Sequence, residues 1–133
     1  FSLDTHPSRR GVYELCKGLS FATVRIFERH SEINKRSYKE YINDILEHRM
    51  VACPRGNGVD CHRVWETLYL GRTPIVKRES AMRHFEELPI LFLDDWEQVC
   101  DYDYLNREYD RIKDRSKKMI DFDYWKERVI NDC

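Results

Sequence analysis

Apolar positions along this chain follow two rhythms. Runs rich in apolar or β-branched residues at 1–3, 19–27, 50–53, 73–76 and 89–93 alternate with stretches in which apolar residues return every three or four positions. The runs predict strands, and the wider spacing predicts helices. A first helix is expected over 9–17, after the capping-type residues Asp4, Thr5, His6 and Ser8 and before Gly18. Tyr38, Tyr41, Ile42, Ile45 and Leu46 keep helical spacing through 37–49, and the segment 59–70 does so again before the stop at Gly71. Short helices are expected at 80–87 and at 96–100, the second capped by Asp94 and Asp95. Two helices close the chain, one marked by Tyr102, Leu105, Tyr109, Ile112 and Met119, the other by Phe122, Tyr124, Trp125, Val129 and Ile130. Trp65, Leu68, Trp96 and Trp125 fall at core spacing. A polar connection follows the run that ends at Phe27.

Strands that alternate with helices need crossover connections, and these give a parallel sheet. Runs without polar alternation fit strands covered on both sides. The expected fold is therefore α/β, a Rossmann-like parallel sheet with helices on both faces. Ligands of such sheets bind beyond the carboxyl ends of the strands, here at 4–10, 54–63, 77–81 and 94–96. The stretch MVACPRGNGVDCHRVWETLYLGRTPIV, residues 50–76, compresses strand, loop, helix and strand. Its loop opens into a helix, so backbone N–H groups and the positive end of the helix dipole converge on one place that suits an anion.

The side chains around that place carry the chemistry. Gly56 and Gly58 let a backbone approach a ligand, and Asn57 tolerates a left-handed turn; a plain tight turn is the other reading. Asp60, Arg63 and Glu66 recur every three residues and line up on neighbouring turns. Asp60 equally suits a helix cap, and Arg63 a surface pair with Asp60 or Glu66. Arg9 and Arg10 stand at a helix start, where cations oppose the dipole unless an anion is near; a solvated pair is the alternative. Lys77, Glu79 and Ser80 could reach a base or sugar from a later loop. His62 reads as an exposed or satisfied side chain.

Composition narrows the classes. A chain of 133 residues, 41% apolar, suits one domain over 1–133 with a sizeable core. Its 23 basic and 24 acidic residues give a net charge of -1, so no overall field draws in nucleic acid or a membrane surface, and anion binding must be local. No run approaches the ~18 apolar residues of a membrane span. No secretory signal pattern follows Phe1, and a chain that opens within expected structure suggests a piece of something longer. Five cysteines (Cys16, Cys53, Cys61, Cys100, Cys133) form no CxxC and make an odd number, which argues against a disulfide framework or a metal site. Cys16, Cys53 and Cys61 read as small buried thiols in a reducing, cytoplasmic setting.

The run CPRGNGVDCHRVWETLYLGRTPIV and the later LPILFLDDWEQV resemble the donor-binding half of exostosin-like glycosyltransferases of the GT-B type. The family pattern of an Asp and Arg, a Glu, Leu-x-x-Gly-x-x-Pro-Ile/Val and a strand leading to Asp-Trp is matched by Asp60, Arg63, Glu66, Leu68, Gly71, Pro74, Ile75, Val76, Asp95 and Trp96. The resemblance covers about 53–99 and implies a nucleoside-diphosphate sugar as donor, a glycan or glycoprotein as acceptor, and no metal or other cofactor. It implies a second Rossmann-like domain upstream for the acceptor and the catalytic base, so catalytic residues stay unassigned in this chain. If the parent chain carries an N-terminal anchor, the Golgi lumen replaces the cytoplasm as the expected location. Within the resemblance, Arg63 suits the diphosphate, because a guanidinium fork matches phosphate oxygens, and Glu66 suits the ribose hydroxyls. The competing class is a non-catalytic nucleotide-binding or interaction domain of flavodoxin-like α/β fold. A response-regulator-like domain lacks its acidic cluster here, since Asp4, Asp94 and Asp95 are a poor version of it.

Overall fold

The computed structural model describes residues 1–28 and 37–131. The polar connection after Phe27 falls mostly outside them, as does Cys133. Helix α1 spans Pro7–Cys16, and α2 spans Tyr38–Leu46. Strand β1 (Met50–Ala52), helix α3 (His62–Tyr69) and strand β2 (Thr73–Lys77) follow, then β3 (Leu91–Leu93), α4 (Tyr102–Ile112) and α5 (Phe122–Asn131). Short 3₁₀ segments at Ser80–Phe85, Trp96–Cys100 and Lys118–Ile120 complete the order. Pro7 opens α1, where its fixed φ is pre-set and its missing N–H costs nothing; the His6 ring accepts from the Ser8 N–H at 3.2 Å. A reciprocal capping box between Ser37 and Glu40 starts α2. Gly71 ends α3 at φ 73°, a left-handed geometry that only glycine adopts freely, and its N–H reaches the Leu68 carbonyl at 3.0 Å.

The three strands form a parallel sheet in the order β1-β2-β3. Pro74 is tolerated in the middle strand for a geometric reason. Thr73 donates to Arg49 and Ile75 accepts from Cys53, so these two residues face β1 and Pro74 faces the other side, one residue before pairing with β3 begins. Stepping twice in one direction with crossovers of one hand puts both connections on the same face. There Val64 and Leu68 of α3 and Met82 of the first 3₁₀ segment meet Cys53, Val76, Leu88 and Ile90. The opposite face buries Ile75, Leu91 and Leu93 against Val12 and Cys16 of α1, Trp96 and Val99, and Leu105 and Ile112 of α4. Helices thus cover both faces of a parallel sheet, as the apolar runs implied.

Several expectations fail for visible reasons. The run 19–27 forms no strand of the sheet. Leu19 to Ala22 turns back on the end of α1, and the rest stays extended, joined to the N-terminus by a single parallel bridge between Ser2 and Phe27. Val24 and Leu19 lie against the core from outside, while Phe21 meets Tyr102 at 5.0 Å between ring centroids with the rings tilted by 52°. The stripe expected to carry one helix on to Met119 breaks after Ile112. Ile112 belongs to one face of the sheet, whereas Met119 and Ile120 belong to the other, and a straight helix could not serve both. Trp96 is buried, but Trp125 is 40% exposed and donates its Nε1 to the Met119 carbonyl.

Candidate anion-binding site

Along the free edge of β1 and beyond its carboxyl end lies an open cavity of about 1040 Å³. That is at the upper end of ligand pockets, which run to roughly 1,000 Å³. One end is polar, built by the 54–60 loop, the start of α3 and the start of α1. The remainder mixes Leu19, Phe21, Val24, Ile45 and Leu105 with the polar Arg25, Asp44, His48 and Asn106. Of the residues that sequence reasoning assigned to a ligand, Arg9, Gly56, Asn57, Gly58, Asp60, Arg63 and Glu66 all line this cavity. Arg10 does not: its exposed guanidinium reaches Glu28 at 3.4 Å. Thr5 and His62 do line it; Lys77, Glu79 and Ser80 do not.

Arg63 is the centre of the polar end. It is half-buried, and its Nη1 is buried with no hydrogen-bond partner. The pairing with Asp60 or Glu66 that helical spacing offered is not made. Asp60 instead accepts from Trp65 Nε1 at 3.2 Å, and Glu66 accepts from the Tyr41 hydroxyl. The Arg63 guanidinium stands between aromatic rings, 5.8 Å from the centroid of Phe1 and 5.9 Å from that of Tyr41. Arg55 Nε is also buried without a partner, but its Nη1 reaches Glu79 at 3.3 Å.

Arg9 plays a different part. It is buried, and its Nε donates to the Arg55 carbonyl at 2.8 Å while Nη1 donates to the Ser2 carbonyl at 3.2 Å. One side chain from α1 thereby fixes both the glycine loop and the N-terminal segment. Its Nη2 lies 3.1 Å from where a Cβ on Gly56 would stand, so any larger residue there would press on the guanidinium. The left-handed turn allowed for at Asn57 is not used, since Gly71 alone among the described residues has a positive φ. The cap of α3 is Cys61, not Asp60, and no side chain closes that helix start. Its first N–H groups, orphaned as at any helix start, stand beside Arg63.

Electrostatics set these groups apart. Burial lowers the Arg9 pKa, and repulsion from Arg63 lowers it further. For Arg63 burial acts in the same direction, yet the neighbouring Cys53, Tyr41 and Cys61 outweigh it and leave the pKa raised. Hydrogen bonding with the Cys53 thiol is the largest influence on Cys61; burial opposes it, and Arg63, the Val64 N–H and Arg9 help bring Cys61 down to about 6. Cys53, buried beneath, is raised well above the usual thiol range, chiefly by burial. The expectation of three small buried thiols therefore holds for Cys16 and Cys53 but not for Cys61, which is half-buried and lines the cavity. A cysteine at a helix start two residues before an arginine was the signal available in the sequence.

Arg9 and Arg63 at the polar end of the cavity, the second holding an orphaned donor, suit a ligand with anionic oxygens. Among the described residues no group of three His, Cys, Asp or Glu is placed to hold a metal ion. No described helix is long and apolar enough to cross a membrane. No protein-family model matches the chain, and no curated protein matches it. What the fold and site define is thus a class: an α/β protein with, among the described residues, a three-stranded parallel sheet, and a cavity at its edge strand lined by four arginines and four carboxylates.

Proposed function

We infer that this chain binds a nucleoside-diphosphate sugar and serves as the donor half of a GT-B glycosyltransferase of the exostosin-like kind. The observation that carries the reading is the buried, partnerless Nη1 of Arg63 in a cavity also lined by Gly56, Asn57, Gly58 and Glu66. Leaving such a donor unpaired costs about 1 to 3 kcal/mol, a cost that a phosphate oxygen would remove. Departure of the sugar leaves negative charge on the diphosphate, and Arg63 with the N–H groups at the start of α3 stabilises it there without a metal. Glu66, with one carboxylate oxygen held by Tyr41, accepts from the ribose hydroxyls. The glycan or glycoprotein acceptor and the catalytic base belong to a separate acceptor domain.

Calorimetric titration tests this. Replacing Arg63 by Ala is expected to weaken nucleoside-diphosphate binding by about 1.5 to 3 kcal/mol, the range for a charge-assisted hydrogen bond, while leaving free nucleoside unaffected. Lys at this position restores only part, because a point charge lacks the two-pronged geometry. Unchanged diphosphate affinity in Arg63→Ala would remove the anchor of the transferase reading.

A further inference from the structure

An arginine on a helix commonly pairs with a carboxylate three residues away, and Arg63 has one in each direction, Asp60 and Glu66. Neither pairs with it. Asp60 is held by Trp65 Nε1 at 3.2 Å, a bond between near neighbours in the chain. Glu66 is held from a distant segment: the hydroxyl of Tyr41, on α2, donates to its Oε2. The Tyr41 ring also lies against Arg63, 5.9 Å from the guanidinium carbon to the ring centroid, so one side chain stands beside both members of the pair that does not form. All three residues are half-buried and line the same cavity. Opposite charges attract more strongly there than in bulk water, so an Arg63–Glu66 pair left free to form would neutralise the guanidinium. Burial first, and the bond to Glu66 next, push the Tyr41 pKa up, so the hydroxyl keeps the proton that it donates.

We propose that Tyr41 is a positioning residue for the anion site: by holding the Glu66 carboxylate it keeps Glu66 off Arg63 and leaves Nη1 open to a phosphate oxygen. Tyr41 acts here without touching the anion. The inference rests on the anion-binding part of the function proposed above, and on neither the nucleoside nor the sugar. The charge that α3 presents is thereby set from α2. With the hydroxyl in place the cavity offers an unpaired cation; without it, Glu66 loses its donor, and the replacement that helical spacing offers is Arg63. An incoming anion would then have to break an ion pair before it could bind.

The test uses inorganic pyrophosphate, which carries anionic oxygens but no ribose or base. It is titrated calorimetrically into four forms of the full chain: unaltered, Tyr41→Phe, Glu66→Gln and the double variant. Loss of the hydroxyl is expected to weaken pyrophosphate binding about tenfold while Glu66 is present, and less than about twofold when Glu66→Gln accompanies it. A merely structural role for Tyr41 would cost the same in both backgrounds. A crystal structure of Tyr41→Phe reads the pairing without any ligand, and a Glu66 carboxylate oxygen is expected within about 4 Å of an Arg63 guanidinium nitrogen. Absence of pyrophosphate binding in the unaltered chain would overturn the anion reading itself. Equal losses in both backgrounds, or a Glu66 that stays off Arg63 in Tyr41→Phe, would overturn the role of Tyr41 alone.

Discussion

The two walls of the cavity are built from sequence of similar character and differ in what holds them. One wall, from β1 through the 54–60 loop to α3, grows out of a sheet whose middle strand is paired on both sides and whose side chains are buried on both faces. The other, from 19–28 and α2, has β-branched and aromatic residues at strand spacing but is held by scattered contacts, among them one bridge, ion pairs of Arg25 with Asp44 at 2.7 Å and of Arg10 with Glu28 at 3.4 Å, and hydrogen bonds of Thr23 with His48 at 2.9 Å and of Tyr41 with Glu66. β propensity describes how well a side chain fits a pleated, half-buried surface, and it produces a strand only where a partner offers that surface. Ile75 pairs with Ala52 on one side and Leu91 on the other, and Val76 pairs with Phe92; Val24 and Ile26 have no strand partner among the described residues.

Core truncation should show the difference most strongly. Leu93→Ala, at a fully buried position in β3, is expected to cost about 2 to 5 kcal/mol in denaturant unfolding, against under about 1 kcal/mol for Val24→Ala at the cavity edge. Equal losses would mean that the second wall is as firmly built as the first.

Arg9 ties the first wall to the N-terminal segment that bridges to Phe27 of the second, so its removal tests whether the walls depend on each other. Arg9→Ala leaves the buried Ser2 carbonyl and the Arg55 carbonyl without their donor, and a loss of about 2 to 3 kcal/mol is expected from two charge-assisted hydrogen bonds, one of them to a buried segment. Hydrogen exchange should then quicken in 54–58 while the β2–β3 pairing stays protected. Uniform loosening throughout would contradict a local clamp.

A pH series sharpens the contrast through the thiols of the first wall. Folding lowers the Cys61 pKa from 9.0 to about 6, so between those values the unfolded chain binds more protons and stability rises with pH, on the order of 2 kcal/mol after allowing for the part shared with Cys53. Below about 6 that contribution is gone. Above 9.0 the slope turns downward, because Cys53 and Cys16 are raised and their protons are held by the folded state. Unfolding free energies under reducing conditions should show the rise, and Cys61→Ser should flatten it.

The smallest effect is expected in the second wall, at the cap of α2. Ser37→Ala opens the capping box with Glu40 at an exposed helix start and should cost about 1 kcal/mol, read from the unfolding midpoint. A larger loss would show that α2 is more tightly coupled to the sheet than its exposure indicates.

Sequence alone determined the elements of the central unit. The run at 50–53, the helix before Gly71 and the apolar run at 73–76 follow from local signals: period, a left-handed stop and burial on both faces. It also determined that the polar residues of this unit would gather beyond the end of β1, because parallel crossovers put loops there whatever the side chains. Tertiary structure decided which groups would be satisfied. Helical spacing offered Arg63 two carboxylates, but Trp65 drew Asp60 and Tyr41 drew Glu66. Adjacent Arg9 and Arg10 diverged because one faces the cavity and the other faces Glu28. The low pKa of Cys61 needed Cys53 beside it and arginines from two different helices. Spacing along a chain fixes which residues can share a face, whereas a hydrogen bond or a titration is settled by what other segments bring within a few ångströms, and that distance exists only once the chain has folded.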